Sequence, residues 1–227
     1  MTANRYGKFL TVTLIILIII ILAGLGFLTY KYVIKPRNDE NEKIEAFAEI
    51  DRASENQKDD EKDQTNTNET LEMNPVEEVN NSTSGSGQNK SKPRYKGFVM
   101  LGYITIPKTN VKEAILDTVT PETLNTAVAV LYPSNPQLNQ PGNVVIVGHN
   151  YRNGKFFSNN KKLSTGDKIK IKDNSGTELT YTIYEIFETT EQDTSFYNRD
   201  TNGKIEVTLS TCTDDSKART IILARVE

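Results

Sequence analysis

Lys204-Ile-Glu-Val-Thr-Leu-Ser-Thr-Cys212 alternates apolar and polar residues and ends on the one cysteine of a 227-residue chain. With a side-chain period of two, Val207, Leu209 and Thr211 share one face of a strand, and Glu206, Thr208, Ser210 and Cys212 share the other. The strand runs into a polar turn, Thr213-Asp-Asp-Ser216, which places the thiol at a sheet rim within reach of solvent. The one histidine, His149, closes another apolar run, Asn143-Val-Val-Ile-Val-Gly148, in the same way. Each singleton also has a plain reading, the thiol as a small buried hydrophobe and the imidazole as a satisfied core or surface group. Matching positions at two strand ends point instead to a nucleophile and its proton partner.

The segment after Cys212 supplies a third group. Arg219, Ile221, Leu223 and Arg225 share parity in a last strand, so a guanidinium stands at each end of one face. The connection, residues 213–218, is short enough to make this strand the antiparallel neighbour of the cysteine strand. Arg219 then falls beside Cys212, and Arg225 lies about 20 Å away at about 3.4 Å per residue. Free thiols and imidazoles leave on the order of 1% of molecules with thiolate and imidazolium together at neutral pH, so a fixed cation beside the sulfur helps. The same cation would stabilise the oxyanion of a tetrahedral intermediate. Cys212, His149 and Arg219 are therefore the candidate catalytic residues for acyl transfer. The ordinary alternative for Arg219 is a surface ion pair with Asp214, Asp215 or Glu227. No residue stands out as the one that orients the imidazole.

Composition divides the chain. Residues 38–92 carry 15 acidic against six basic residues, so the remainder of a chain with formal charge −3 is net basic. A solvated acidic spacer and a mildly basic folded part follow. One cysteine excludes an internal disulfide, and one Cys with one His cannot build a zinc cage, so no cofactor is expected. There is no basic patch interleaved with aromatics and no glycine-rich phosphate loop, which argues against nucleic acid or nucleotide ligands.

Residues 9–30 contain no charge and are dominated by Ile, Leu and Val. As a helix they would span about 33 Å, enough to cross the hydrocarbon core. A cleaved signal peptide is the alternative, since Ala23, Gly24 and Gly26 are small, but the apolar run continues through Phe27 and Leu28. An uncleaved anchor behind a short tail, residues 1–8, is the expectation. Flanking Arg5 and Lys8 balance Lys31, Lys35 and Arg37, so the positive-inside count leaves orientation open. A single-pass protein of the cell membrane with its bulk outside is the working assumption. An unpaired thiol in that compartment invites a reactive role.

Pro36 is expected to stop the membrane helix, and residues 31–94 read as an acidic stalk ending in a flexible linker over 82–92. Within the stalk, Ile44, Phe47, Ala48 and Asp51 are spaced for a short amphipathic helix. Order returns in residues 95–227. Gly102-Tyr-Ile-Thr-Ile106 and Lys168-Ile-Lys-Ile-Lys172 alternate as strands. Thr120 with Pro121 behind it forms an N-cap for a short helix to about Ala127. Seven or eight short strands with one or two short helices predict an all-β barrel or sandwich.

Val-Thr-Leu-Ser-Thr-Cys212 with Arg219 seven residues on, and Gln-Pro-Gly-Asn-Val-Val-Ile-Val-Gly-His149 upstream, resemble the sortase family. Phe156-Phe157, Leu163 and Gly166-Asp-Lys-Ile169 fit the same resemblance, which covers residues 102–227. It implies a closed eight-stranded sortase-type β-barrel and a membrane-anchored cysteine transpeptidase of Gram-positive bacteria. The implied substrates are surface proteins bearing a C-terminal sorting signal of the Leu-Pro-x-Thr-Gly type, cleaved after Thr through a Cys212 thioester. An amine from a peptidoglycan precursor or a pilin would resolve it. His149 would act as general acid and then base, and Arg219 would hold the substrate carbonyl.

The resemblance also implies that residues 188–203 form the loop that reads the signal. That loop is too short for the extra helix of the iron-acquisition class. Neither the lid nor the C-terminal span of the pilin-polymerising class is evident, leaving a housekeeping-like or sporulation-type enzyme. Some relatives are activated by calcium, and Glu185, Glu188, Glu191 and Asp193 could supply oxygens, though acidic residues on a surface loop need no such role. An L,D-transpeptidase-like cell-wall enzyme is the runner-up, without its Ser-His-Gly-Cys neighbourhood. A papain-like peptidase has Cys before His, the reverse of this chain. A non-catalytic membrane-anchored surface module with an inert thiol is the remaining alternative.

Overall fold

The computed structural model describes residues 3–62 and 92–227, so most of the expected linker over 82–92 lies outside the described residues. Two compact units are present, Met1–Glu45 and Ala46–Glu227.

In the first unit, α1 (Ala3–Thr29) passes through a π-helical turn (Tyr30–Ile34) into α2 (Lys35–Lys62), which continues into the second unit. The helical stretch Leu10–Arg52 holds a window long and apolar enough to cross a membrane. Leu14, Ile16 and Leu22 are exposed there, as they would be on a helix solvated by hydrocarbon. Contrary to the sequence reading, Pro36 does not end the helix. The Lys35 N–H reaches back to the Tyr30 carbonyl, and a wider turn of this kind lets the backbone continue past a residue that has no N–H to donate.

The second unit is a barrel. Its strands are β1 (Arg94–Tyr95), β2 (Phe98–Ile106), β3 (Val111–Leu116), β4 (Val128–Tyr132), β5 (Gly142–Val147), β6 (Lys168–Asp173), β7 (Glu178–Thr189), β8 (Ile205–Cys212) and β9 (Arg219–Val226). They pair in the order β1-β2-β3-β4-β5-β8-β9-β7-β6, and a further β2–β6 pairing closes the sheet. The two-residue β1 only pairs antiparallel with the start of β2, so eight strands, β2 to β9, make the wall. Closure removes the open edges that an alternating strand set would otherwise expose. Gly102 allows it, because a Cβ there would sit 2.1 Å from the Lys172 carbonyl oxygen across the β2–β6 seam. Ile104, Ile146, Ile169, Ile183, Leu209 and Ile222, all nearly or fully buried, fill the interior.

Most pairs are antiparallel, but β3 pairs with β4 and β5 with β8 in parallel. Between β3 and β4 lies a short helix, α3 (Pro121–Thr126). Its N-terminus is capped as the sequence predicts: Thr120 Oγ1 accepts from the Thr123 N–H at 3.1 Å, and Thr123 Oγ1 accepts from the Thr120 N–H at 2.8 Å.

Packing on the barrel begins before Tyr95. In α2, Ala46, Phe47 and Ile50 are buried in one cluster with Met100, Tyr103 and Leu116. Phe47 stacks on Tyr103 with ring centroids 4.6 Å apart, and the Lys112 ammonium lies 5.2 Å from each ring. Asp51 accepts from the Tyr103 hydroxyl at 2.9 Å and from Lys172 Nζ at 2.7 Å. Burial alone would push the Asp51 carboxyl up, but these two donors and the nearby lysine charges hold it below the usual range. The same contact pushes the Tyr103 hydroxyl up, through burial first and the Asp51 carboxylate second. The docked stripe differs from the one expected: Ala46 and Ile50 are buried in place of Ile44, which is exposed, and Ala48, which is half-buried. Spacing of three and four residues selects Ala46, Phe47 and Ile50 as one helix face.

Candidate active site

Three strand termini meet at one rim of the barrel. Parallel pairing of β5 with β8 sets Val147 opposite Ser210, so both strands leave the sheet at the same end. The Gly148 N–H donates to the Ser210 carbonyl at 3.2 Å, and Thr211 Oγ1 donates back to the Gly148 carbonyl at 2.7 Å. His149 and Cys212 are the next residues on each chain. Gly148 is required by space, since a Cβ would lie 2.8 Å from both the Phe157 ring and Val128.

On the other side of β8, β9 pairs antiparallel and sets Arg219 directly opposite Cys212. Arg219 Nη1 lies 2.6 Å from Cys212 Sγ as a donor, and Nη2 donates to Glu191 Oε1 at 2.7 Å. Cys212 is half-buried. At the far end of β9 the Arg225 guanidinium stacks 4.8 Å from the Tyr184 ring centre, so the two arginines of that face have separate partners.

His149, Cys212 and Arg219 line one groove of about 420 Å³ with Leu124, Leu131, Val147 and Phe196. Its wall is apolar along Leu124, Leu131, Val147 and Phe196, and Arg219 and Glu191 make one part of it charged. Phe196 and Tyr197 come from the β7–β8 connection, residues 190–204. That loop is fastened from beneath: Asn143 Nδ2 donates to the Phe196 and Tyr197 carbonyls, both at 2.9 Å. Arg199 ties the same region to Glu206 (2.8 Å) and to the Tyr184 hydroxyl (2.9 Å). The polar face of β8 is therefore covered rather than open to water, with Thr208 and Glu206 buried. Alternation marks two environments on a strand, but a buried polar network can occupy the second one.

Other groups at the rim carry no sequence signal. Asn150 Nδ2 donates to the Cys212 carbonyl at 3.0 Å and to Asp214 Oδ1 at 2.9 Å, fixing the turn after the cysteine. Hydrogen bonds from Lys161 and Asn150 hold the Asp214 carboxyl below the usual range. The Tyr151 ring lies against the His149 imidazole, with centroids 4.8 Å apart. The acidic residues of the loop have other partners: Glu191 is on Arg219, and Asp193 accepts from Thr189 and from the Ser195 N–H. Among the described residues no three acidic, His or Cys side chains gather as a metal site would require.

A closed β-barrel with a guanidinium-paired thiol in a rim groove defines a cysteine-centred barrel protein. Residues 104–227 match the Sortase domain model, and the chain belongs to the sortase family, whose members are cysteine transpeptidases. A sortase D5 transpeptidase of Clostridium perfringens is 31% identical, with 56% of this chain and 79% of that one covered, at a TM-score of 0.51. Sortase A from Corynebacterium diphtheriae is 27% identical over 57% of this chain and 62% of its own, with a TM-score of 0.52. Sortase C-1 from Actinomyces oris is 25% identical over 56% and 72%, with a TM-score of 0.50. No curated protein matches the chain.

Proposed function

We propose that this sortase cleaves a Leu-Pro-x-Thr-Gly-type sorting signal on surface proteins and transfers the acyl fragment to an amine of the cell wall or of a pilin. The observation that carries the reading is the 2.6 Å contact of Arg219 Nη1 with Cys212 Sγ inside the groove that His149 also lines. Arg219 offers an N–H donor to the sulfur and then N–H donors to the substrate carbonyl, whose oxygen becomes negative as sulfur adds.

The steps balance without a cofactor. Cys212 sulfur bonds to the Thr carbonyl carbon, the Thr–Gly C–N bond breaks, and the His149 imidazolium gives its proton to the departing amine. The second amine then attacks the thioester carbon and passes a proton to His149, and sulfur leaves as thiolate. The Nη2 bond to Glu191 must yield or be shared when the carbonyl arrives. Glu191 is 69% exposed and can swing into water at little cost.

The test is incubation of the full-length chain in detergent with a Leu-Pro-x-Thr-Gly peptide and an amine. Mass spectrometry should show a peptide acyl group on Cys212, lost in Cys212→Ala, and an amine-capped product. An L,D-transpeptidase-like enzyme would ignore this peptide, and an inert surface module would form no acyl-enzyme with any substrate.

A further inference from the structure

A lone imidazole that serves as acid and then as base must be held in one orientation, yet among the described residues nothing hydrogen-bonds to the His149 ring. Its ring contact is Tyr151, two residues further along, with centroids 4.8 Å apart and planes tilted by 36°. That separation is within the range of attractive aromatic pairs.

Tyr151 is fastened from three directions. Its backbone N–H donates to Ser158 Oγ at 3.0 Å, and Ser158 is buried. Its ring packs on Phe156, also buried, at 5.7 Å between centroids. Its hydroxyl donates to Asn125 Oδ1 at 2.8 Å, on the helix α3 that walls the groove. Despite these fixings the side chain stays 42% exposed. A tyrosine held this firmly but left so open adds little by burial, and the face it presents is the imidazole.

We infer that Tyr151 is the positioning residue for His149, filling by ring contact the place that an Asn or Asp side chain fills in other cysteine and serine acyltransferases. The inference rests on the proposed function for its catalytic meaning, though not for its geometry. A carboxylate partner would commit one ring nitrogen. A ring contact commits neither, so both Nδ1 and Nε2 remain free to deliver a proton to the leaving amine and collect one from the incoming amine.

The chain has a single histidine, so its imidazole C–H resonances can be observed without overlap. In the full-length protein they should carry a ring-current displacement that Tyr151→Phe keeps and Tyr151→Leu removes. With the sorting peptide, Tyr151→Phe should hold kcat within about twofold. Tyr151→Leu should lower it by about tenfold to a hundredfold with KM within about twofold, the pattern of a misaimed catalytic group. Because Tyr151 is partly exposed, neither change empties the core. Wild-type kcat in Tyr151→Leu, or imidazole signals that stay at their wild-type positions, would overturn the assignment. If the wild-type protein does not turn over the peptide at all, the proposed function fails, and the resonances alone decide whether Tyr151 orients the ring.

Discussion

Truncating Ile50 to alanine should release α2 from the barrel. The side chain is fully buried and shares a cluster with Phe47, Met100 and Leu116. Burying an isoleucine is worth roughly 1.5–3 kcal/mol, and the cavity left behind raises the cost of truncation to roughly 2–5 kcal/mol. The polar part of the contact is weaker, since the Asp51 side chain is 47% exposed and such pairs rarely exceed about 1 kcal/mol. Hydrophobic packing therefore decides whether the helix stays down. Taking about 3 kcal/mol, amide exchange over residues 46–52 should quicken by about a hundredfold in Ile50→Ala if undocking is local. If undocking and barrel unfolding are coupled, Tm should also fall by about 6–12 °C, given about 2–4 °C per kcal/mol at this size. Glu49→Ala, on the exposed side of the same turn, should change neither quantity. Exchange over 46–52 that is equally fast in wild type, Ile50→Ala and Glu49→Ala would refute the docked helix.

The arginines of β9 separate by position. Arg219→Ala should lower kcat/KM on the sorting peptide by about 10²–10³-fold through loss of a donor to the oxyanion. Arg225→Ala, whose guanidinium rests on Tyr184, should stay within a few-fold, and equal losses would undo the assignment. Acid should loosen α2 before it unfolds the barrel. The Asp51 carboxyl is held below its ordinary value, so its contribution is present above the unfolded aspartate range, near 4, and is lost as pH falls through the lower folded value. The protection factors over 46–52, taken relative to intrinsic exchange at each pH, should therefore fall as pH drops below about 4, by a modest factor because Asp51 is partly exposed, and Asp51→Asn should flatten that dependence.

Much of the barrel was legible because its signals are local. The alternation of β6 and β8, the cap at Thr120 and the short turn between Cys212 and Arg219 each depend on neighbours within a few residues. From that turn alone, Arg219 could be set beside Cys212 and Arg225 set apart. The acidic stretch was harder. Its charge hides the stripe of Ala46, Phe47 and Ile50, because a solvated helix and a helix docked by one narrow face share the same composition. Pro36 misled for a related reason: a proline forbids one hydrogen bond, and a π-helical turn can relinquish that bond without ending the helix.

Sequence by itself determined the one sulfur and the one imidazole, a guanidinium set near the sulfur by strand register and the apolar span ahead of them, and it offered the first three as candidate reacting groups. It could not bring His149 to Cys212, because the two belong to strands separated by 57 residues between β5 and β8, and a parallel neighbour leaves no mark in local alternation. Nor could it name Tyr151, since a ring seated on an imidazole depends on where α3 and the 155–158 turn lie in space. Those placements follow from closing the barrel, which fixes strand neighbours through hydrogen bonds made far along the chain.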